Sequence, residues 1–568
     1  MVNRFSIVTL VFFFLSTIFV IQPLSFHVSL PVLGKRRITI GLMTAPIFAI
    51  AVLWASQCIG ATQIRNGIVG TGKAGVFFSD VNQYSTYNTL NNFLDGIKPY
   101  NILILFISLA YMAITLDVTG ILQAAAFWVS NKGGSNGRKL YFYFYLLLTL
   151  VSMVVGNDPV ILSGTAFLVY YTAATGLEPI AWLISEFAAA NTASMVLFVG
   201  NPTNVVICEG FDVNNAAFTA YTILPFLACS AACYVALMFQ FRDAKHVPHK
   251  LSRTGKLDVL SVLNNPVSAI FGGILLLICL IVIIVVSFYH VDVWKVVLPF
   301  AVAKFIFDLC WDHYRYKRGP VVQETHKTTS EDPMNAALVR AMTMPSDIER
   351  SASSSSLTIM PNANAEASTS ERSSSTLHDE NKSRSFFPSQ RTRFNSAYKS
   401  LSAHFPTFMT ALPRLPFALI PFAFSQFILI EALAHQGWID VFAHWLVKAT
   451  HGHTTPTIWI IGILGVIMCN ISGTNIGATI LLTKVVRAAE LSNQSTRAAA
   501  IALAVASNIG AVSFTFSASL AGLLWKSILN QKKIPMRQRT FAFWNMLPLL
   551  AMTGVGLAIV TAEMAVLY

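Results

Sequence analysis

Four short clusters of uncharged polar residues interrupt long apolar runs of the sequence, and they are the first candidates for chemistry. Asparagine, threonine and serine supply amide and hydroxyl groups, while glycine and proline break a helix and free its backbone groups. Amide oxygens and freed carbonyls coordinate small cations, whereas amide and backbone N–H groups hold anions. The clusters therefore predict a binding site for a small ion or solute. The predicted site residues are Asn157, Asp158, Asn191, Thr192, Ser194, Gly200, Asn201, Pro202, Thr203, Asn204, Asn470, Thr474, Asn475, Thr479, Asn508, Gly510, Ser517 and Ser519.

An alternative interpretation is that these residues only form hydrogen bonds between helices, which is common in membrane proteins. Scattered serines would suit that alternative. The compact run Gly200-Asn201-Pro202-Thr203-Asn204 suits it poorly, because it breaks a helix in the middle of an apolar stretch. The run is therefore interpreted as part of a site.

Three ionisable residues in apolar surroundings, Asp158, Glu186 and Lys484, are candidates for coupling transport to an ion gradient. A carboxylate at membrane depth is costly and usually marks an ion or proton pathway. Asp158 also suits the N-cap of the helix that follows it, and the two roles are compatible. Lys484 is either a counter-ion for an anionic substrate or a side chain that extends to the membrane interface, and the second interpretation is preferred. Lys304 and Asp308, four residues apart, are expected to pair.

The elements that must position these residues are membrane helices. The chain has 568 residues, of which 54% are hydrophobic and 11% charged, against about 25% charged in a soluble domain. Adding shorter apolar runs to the long charge-free stretches predicts roughly ten to thirteen membrane segments. The composition is thus that of an all-α polytopic membrane protein. The long charge-free stretches are Phe5–Gly34, Ile38–Ile64, Val213–Phe241, Val259–His290, Thr454–Thr483 and the more broken Ala498–Trp525.

Basic residues account for the net charge of +13 and cluster in the connecting segments. Positively charged loops remain cytoplasmic, so the clusters are expected on one face of the membrane and both chain ends on the other. Attraction to anionic lipid explains this charge, and no nucleic-acid partner is predicted. The seven cysteines are scattered, and no metal site is expected. The clusters lie at 35–37, 242–256, 312–318 and 526–539.

Two halves of the chain share the spacing of their polar landmarks. Asn157 lies 37 residues after Gly120, and Asn475 lies 38 residues after Gly437. The next asparagine cluster follows 34 residues later in the first half and 33 residues later in the second. This register predicts an internal duplication, which is typical of secondary transporters. If an odd number of crossings separates the halves, the repeats are inverted.

Residues 321–404 differ from the rest of the chain because they are rich in serine, asparagine and charge. Such a segment has too little apolar surface to fold, and a disordered cytoplasmic linker is predicted. Arg350-Ser351 and Arg372-Ser373 raise the hypothesis that a kinase acts on it. The predicted domains are N-terminal transmembrane helices and a loop (1–97), a first transport repeat (98–243), connecting transmembrane helices (244–320), this linker (321–404) and a second transport repeat (405–568).

The segments NDPVILSGTAFLVYY, AAANTASMVLFVGNPTNVVI, NISGTNIGATILLTKVV and ASNIGAVSFTFSASLAGLLW resemble four motif regions of the ion transporter superfamily. They are most similar to its citrate-transporter-like domain and to bacterial arsenite-efflux permeases. The resemblance implies an elevator-type carrier with inverted repeats, often dimeric, whose two hairpins and two broken helices surround the substrate. Pro159 and Ala518 depart from the arsenite-permease pattern, which has glycine at both positions. On that pattern the hairpins contain Asn157–Asp158 and Asn470–Thr479, and the broken helices contain Asn191–Asn204 and Asn508–Ser519.

The expected function is secondary active transport of a small inorganic anion or oxyanion of the arsenite and antimonite class, coupled to protons or sodium and without another cofactor. The alternatives are a di- or tricarboxylate carrier and a sodium/proton antiporter or, from another class, an anion channel or a receptor with a transporter fold. No catalytic pairing is found, so an enzyme is not expected. The expected partners are the lipid bilayer of a plasma or organelle membrane and a small-molecule or ion substrate.

Overall fold

The computed structural model of the chain is almost entirely helical in the part that it describes. The main exception is an antiparallel hairpin near the N-terminus, with strands β1 (Leu24–Leu30) and β2 (Gly34–Ile40). This hairpin places the basic run 35–37 in a strand rather than in a loop between membrane helices. The described residues are 3–30, 34–70, 97–251, 257–289, 291–319 and 388–568.

Helices of the first half follow one another through short connections. Proline occupies the first helical position at Pro99, Pro179 and Pro202, where its missing N–H would have no partner anyway. A 3-10 turn at Phe198–Gly200 lies between two of these helices. The helices are α1 (Arg4–Ile21), α2 (Thr44–Ala55), α3 (Ala61–Val69), α4 (Pro99–Val118), α5 (Ile121–Gly133), α6 (Gly137–Val155), α7 (Asn157–Thr175), α8 (Pro179–Ala193), α9 (Pro202–Gly210), α10 (Asn215–Gln240), α11 (Pro266–Val286) and α12 (Val293–Lys317).

The second half begins after the serine-rich segment and ends in a long helix. Short 3-10 turns at Leu412–Arg414 and Phe516–Ala518 interrupt it. Its helices are α13 (Pro388–His404), α14 (Pro406–Ala411), α15 (Leu419–His435), α16 (Trp438–Thr450), α17 (Thr454–Ile471), α18 (Asn475–Ala488), α19 (Asn493–Ile509), α20 (Leu520–Gln531) and α21 (Gln538–Leu567).

The prediction of a disordered linker over 321–404 is wrong at its C-terminal end, which forms helix α13. Residues 388–404 are helical, whereas the rest of that segment, 320–387, lies outside the described residues. The end of α13 is held against the membrane part: His404 Nε2 is 2.6 Å from His313 Nδ1 on α12, and its ring also stacks on Tyr316. Aromatic contacts of this kind were not visible in the serine-rich composition.

Eight helical segments among the described residues are long and apolar enough to cross a membrane. This number is lower than the predicted ten to thirteen, because the other apolar stretches are divided among helices that are shorter or more polar. In particular, the stretch 498–525 contains the end of α19, an irregular segment and the beginning of α20. The eight segments are Arg4–Ile21, Pro99–Val118, Gly137–Val155, Asn215–Gln240, Pro266–Tyr289, Pro406–His435, Thr454–Ile471 and Gln538–Leu567.

The same order of elements occurs twice, as the spacing of the landmarks predicted. Helices α4 to α10 and helices α15 to α21 each contain a short helix in second place and a 3-10 turn between the fifth and sixth helices. Gly120 and Gly437, at corresponding positions, both have positive φ (87° and 78°). Asn201 and Ser519 both form extended N-caps that accept a backbone N–H. The inverted orientation of the two repeats and an elevator movement remain predictions.

Helices α8 and α19 lie at the centre of the molecule. Every residue of α8 from Ala181 to Ala193 is buried, and so is every residue of α19 from Ala498 to Ile509. Both helices carry alanine runs, whose small side chains allow neighbouring helices to approach closely. The clusters that break these two helices are thereby brought into the core.

Candidate substrate-binding site

The first broken helix stops at Ala193 and resumes at Pro202. Asn201 begins α9 as its N-cap, and its Oδ1 accepts the N–H of Thr203 at 3.2 Å. Asn204 Nδ2 donates to the carbonyl oxygens of Ser194 and Leu197, both at 2.8 Å. These two asparagines therefore supply partners for backbone groups that the break has released.

Asn508, at the end of α19, connects the two broken helices. Its Oδ1 accepts hydrogen bonds from Ser194 Oγ at 2.9 Å and from Asn201 Nδ2 at 3.1 Å. Its Nδ2 donates to Asn204 Oδ1 at 2.8 Å. All four side chains are buried. We call Ser194, Asn201, Asn204 and Asn508 the amide cluster, and it joins residues that are about 300 positions apart in the sequence.

The first hairpin, between α6 and α7, lies beside the break in the first broken helix. Gly156 has φ +89°, and a Cβ there would lie 3.4 Å from the Gly200 carbonyl oxygen in the break. Asn157 Nδ2 donates to Asn191 Oδ1 at 3.0 Å, and Asn191 Nδ2 donates to the Phe187 carbonyl at 2.8 Å. The tip of the hairpin is thus anchored to α8 just before that helix breaks.

The second hairpin, between α17 and α18, is anchored differently. Thr474 caps α18 by accepting the Gly477 N–H at 3.3 Å. Asn470 Oδ1 accepts both the N–H and the hydroxyl of Thr515, at 3.1 and 3.0 Å, and its Nδ2 contacts Ser513 Oγ. Asn475 Nδ2 makes a longer contact, 3.4 Å, with the Ser507 carbonyl. This hairpin is therefore attached chiefly to the irregular segment of its own half.

Several other predicted site residues have local structural roles in the structure. Thr479 Oγ1 bonds to the carbonyl of the residue one turn earlier, and Ser519 Oγ accepts the N–H of Gly522 as an N-cap. Thr192 Oγ1 contacts a methionine sulfur at 3.1 Å, and Ser517 Oγ lies 3.4 Å from Thr515 Oγ1. Others supply backbone shape or packing: Gly200 and Gly510 leave no room for a Cβ, Pro202 is the first residue of α9, and Thr203 packs near Ser507.

The three coupling candidates are in different surroundings. Asp158 lies in the first turn of α7 without capping it, and no described residue forms a hydrogen bond with its side chain. Glu186 is fully buried, and Thr165 Oγ1 lies 2.9 Å from its Oε1. Lys484 is buried and lies 2.5 Å from Glu431 Oε2. The preferred interpretation that Lys484 extends to the membrane interface is therefore wrong.

The predicted pairing of Lys304 with Asp308 is confirmed. Both side chains are buried in contact with each other. Tyr111 donates to the other carboxylate oxygen of Asp308 at 3.1 Å, and Ser268 lies within 3.4 Å of both charged groups. This pair joins α12 to α4 and α11, away from the broken helices.

A cavity of about 1060 Å³ lies beside the first hairpin. Three of the predicted site residues, Asn157, Asp158 and Gly200, line it, whereas Asn201, Asn204 and Asn508 do not. The amide cluster therefore lies behind the cavity and supports its wall. A solute in the cavity would contact the hairpin tip rather than the amide cluster.

The cavity also contains charged residues that were not predicted as site residues. Besides the predicted Asp158, one acidic residue, Asp117, and three basic residues, Arg315, Arg414 and Lys532, line it. Asp117 is buried and contacts Ser163 on α7, while its other oxygen lies 3.4 Å from Arg414 Nη1. Asp117 stands beside the landmark Gly120 and Arg414 beside the serine-rich segment, but neither lies in a broken apolar run, so local pattern gave no signal.

Residues 28–310 match the sequence profile described as the citrate transporter family. The matched stretch contains the first hairpin, the first broken helix and most of the cavity wall that the first half supplies. The resemblance to the ion transporter superfamily is thereby confirmed.

The chain is also similar to curated proteins named arsenical pump membrane protein. One from Escherichia coli is 27% identical over 179 residues, which cover 31% of this chain and 41% of that protein. One from Yersinia enterocolitica is 25% identical over 224 residues, 39% of this chain and 46% of that protein. The chain therefore spans less than half the length of these relatives.

Among solved structures, the chain is similar to the YdaH transporter of Alcanivorax borkumensis. The two are 12% identical, the alignment covers 100% of this chain and 99% of the YdaH chain, and the TM-score is 0.47. The eight spans and the similarity to membrane transporters identify the protein as an integral, multi-pass membrane protein.

Proposed function

We propose that this transporter is a secondary active carrier of a small oxyanion, with the arsenite and antimonite class first, coupled to protons or sodium. One observation carries the proposal: two broken helices and a hairpin tip converge beside a cavity of about 1060 Å³ in a membrane protein. Irregular backbone is tolerated at membrane depth only where it is buried in protein or lines a cavity. The similarity to arsenical pump membrane proteins supports the choice of substrate class.

The hairpin tip is the part of the site that would meet the solute. Asn157 is held by Asn191, so its amide has a defined position, and Asp158 is next to it at the start of α7. Asp158 lines the cavity without a described hydrogen-bond partner. We assign it to coupling, since it is the hairpin's carboxylate and a proton or sodium ion can reach it from the cavity. Glu186 remains the second coupling candidate, although it is shielded from the cavity by α7.

A di- or tricarboxylate carrier is the second candidate function. Two observations favour it: the profile that residues 28–310 match is that of a citrate transporter, and three basic side chains line the cavity. A basic cavity raises the local concentration of anions and hence of ionised carboxylates. The two candidates therefore differ in the charge of the solute rather than in the architecture of the site.

A flux panel in liposomes tests the proposal. The purified full chain is reconstituted, and uptake of arsenite, antimonite, citrate, succinate and ²²Na⁺ is measured with and without imposed pH and sodium gradients. Saturable uptake of an oxyanion that rises with one gradient supports the carrier. Conductive flux that ignores both gradients would instead indicate a channel, and sodium flux driven by a pH gradient without any oxyanion would indicate an antiporter.

Replacing the serine-rich segment distinguishes a carrier from a receptor with a transporter fold. Replacing residues 321–387 by a short glycine-serine linker leaves a carrier's uptake intact, whereas a signalling role for that segment would be lost. Measurement of uptake in the shortened chain therefore tests the class as well as the substrate. Absence of flux for every solute in the wild-type chain contradicts the proposed function.

A further inference from the structure

Arg414 is an exposed cation in the wall of the cavity. The 3-10 turn Leu412–Arg414 places it there, just before α15 begins. Its side chain is 38% exposed, although the carboxylate that it faces, Asp117, is fully buried. A long basic side chain so placed can keep its stem against the protein and turn its guanidinium toward the cavity.

The contact between Arg414 and Asp117 leaves most of the guanidinium unused. A bidentate arginine–carboxylate pair forms two short N–H···O bonds, typically near 2.8 Å. Here a single contact of 3.4 Å joins Arg414 Nη1 to Asp117 Oδ2. The other oxygen of Asp117 accepts from Ser163. The remaining N–H groups of Arg414 have no acceptor among the described residues, so the guanidinium is held at one edge and open at the other.

The other two cations of the cavity are placed differently. Lys532 contacts the hydroxyl of Tyr170. Arg315 is an exposed residue near the end of α12. Both help to make the cavity attractive to anions, because charges of one sign around a cleft raise the local concentration of the opposite sign. Of the three, Arg414 is the one that contacts a buried carboxylate, Asp117, which is itself bonded to Ser163 on α7, the helix of the hairpin tip.

We propose that Arg414 is a specificity-determining residue that binds an ionised oxygen group of the transported solute, with Asp117 as the positioning residue that aims the guanidinium. The proposal rests on the proposed carrier function and favours its second candidate substrate class, the carboxylates, because it requires a solute with a negative charge. Ser163 ties Asp117 to α7, whose N-terminus is the hairpin tip. Ser163 is six residues after Asn157, about 9 Å along the helix. One anionic end on Arg414 and a polar end at the tip can therefore belong to one small solute.

The charge requirement separates the two candidate substrate classes. Citrate and succinate are ionised at neutral pH and gain a charge-assisted hydrogen bond from Arg414. Arsenous acid is an uncharged trihydroxide at neutral pH and gains no such bond. The carboxylate class is thus expected to depend on Arg414, and the uncharged probe is not.

Ligand-induced thermal stabilisation of the purified full chain in detergent tests this. Citrate and arsenous acid are the probes, at pH 7 and constant ionic strength, on the wild type, Arg414→Gln and Arg414→Lys. Arg539→Gln is the matched control, because Arg539 is an exposed arginine outside the cavity. In Arg414→Gln, the citrate concentration for half-maximal stabilisation rises roughly tenfold or more. Arg414→Lys recovers part of the loss, and the control behaves as the wild type.

The double variant Asp117→Asn/Arg414→Gln distinguishes binding from a purely structural ion pair. If the pair only stabilises the fold, removing both charges restores the citrate response. If Arg414 binds the anion, the response stays lost although thermal stability recovers. Restoration in the double variant overturns the proposal. So does an equal loss for citrate and arsenous acid, or a wild type that citrate does not stabilise.

Failure of this proposal and failure of the carrier function are distinguishable. Gradient-driven uptake without citrate-induced stabilisation would leave the carrier intact and remove the subsite. Citrate-induced stabilisation that requires Arg414, without any gradient-driven uptake, would support the subsite and contradict the carrier function. If Arg414→Gln does not fold, Arg414→Lys still reports, because it retains the charge while losing the guanidinium's geometry.

Discussion

The two halves contain the same order of elements but use their hairpins differently. In the first half, the hairpin tip at Asn157 reaches α8, lines the cavity and brings a carboxylate with it. In the second half, the hairpin residue Asn470 is bonded to Thr515 in the irregular segment of that half. Neither Asn470 nor Thr515 lines the cavity.

This difference indicates that the two hairpins have different roles. The first hairpin carries the groups that a solute can reach, whereas the second hairpin stabilises the broken helix that supplies Asn508. Their charges follow the same division, because Asp158 has no described partner while Lys484 is neutralised by Glu431. A duplicated fold can thus keep its backbone plan in both copies and place the chemistry in one.

Removing the first half's carboxylate is expected to have the largest effect. In Asp158→Asn, gradient-driven uptake in liposomes falls to the level of protein-free liposomes, because the group assigned to the coupling ion can no longer be ionised. Asp440→Asn is the matched control, since Asp440 is an exposed carboxylate in the first turn of α16 in the other half. Unchanged gradient-driven uptake in Asp158→Asn would sink the assignment.

The buried ion pair of the second half is expected to matter for stability instead. Lys484→Gln leaves Glu431 without its partner and lowers the free energy of unfolding by about 3 kcal/mol, measured from thermal or denaturant unfolding in detergent. The double variant Glu431→Gln/Lys484→Gln recovers most of that loss and keeps gradient-driven uptake. Loss of uptake in the stable double variant would show that the second half also takes part in coupling.

The link between the halves comes next in size. Asn508→Ala removes three side-chain hydrogen bonds across the amide cluster and lowers the free energy of unfolding by about 2 kcal/mol, at about 0.6 kcal/mol for each bond in a membrane. Because Ser194 and Asn201 lose their common acceptor, the wall behind the cavity loosens, and KM for the solute rises. A variant with unaltered KM and stability would remove the amide cluster from the site.

The smallest effect is expected at the second hairpin. Asn470→Ala removes the two Thr515 contacts at a partly exposed position and costs about 1 kcal/mol of unfolding free energy, with KM unchanged. The comparison of Asn470→Ala with Asn508→Ala, by the same unfolding and uptake assays, is the direct measure of the asymmetry. A larger KM effect for Asn470→Ala would reverse the roles of the two halves.

The sequence predicted the features that are local. A polar cluster inside an apolar run can be recognised within about ten residues of sequence. The sequence therefore predicts Asn157 and Asn191, which are bonded to each other in the structure. It likewise predicts Asn201 and Asn508, which form a second bonded pair. The duplication was visible as well, because the spacing of landmarks survives when the residues themselves change. The repeated order of helices agrees with it.

Long-range pairings were out of reach of the sequence. Asp117 and Arg414 are 297 residues apart, and Glu431 and Lys484 are 53 apart. Each residue taken alone has several equally good partners, and only the folded chain selects one. The sequence also gave no reason to separate Asn157, which lines the cavity, from Asn204, which lies behind it, because depth relative to a cavity is a property of packing.

The contact between His313 and His404 affects which changes in length the protein can tolerate during evolution. His313 lies near the end of α12 and His404 at the end of α13, and their rings are in contact. The stretch of sequence between the two histidines therefore begins and ends at neighbouring positions. Lengthening a connection whose ends are held together costs only a slowly growing entropy, about 0.6 kcal/mol for each doubling. Insertions and deletions between the two histidines can therefore accumulate through descent while the membrane part on either side keeps its geometry.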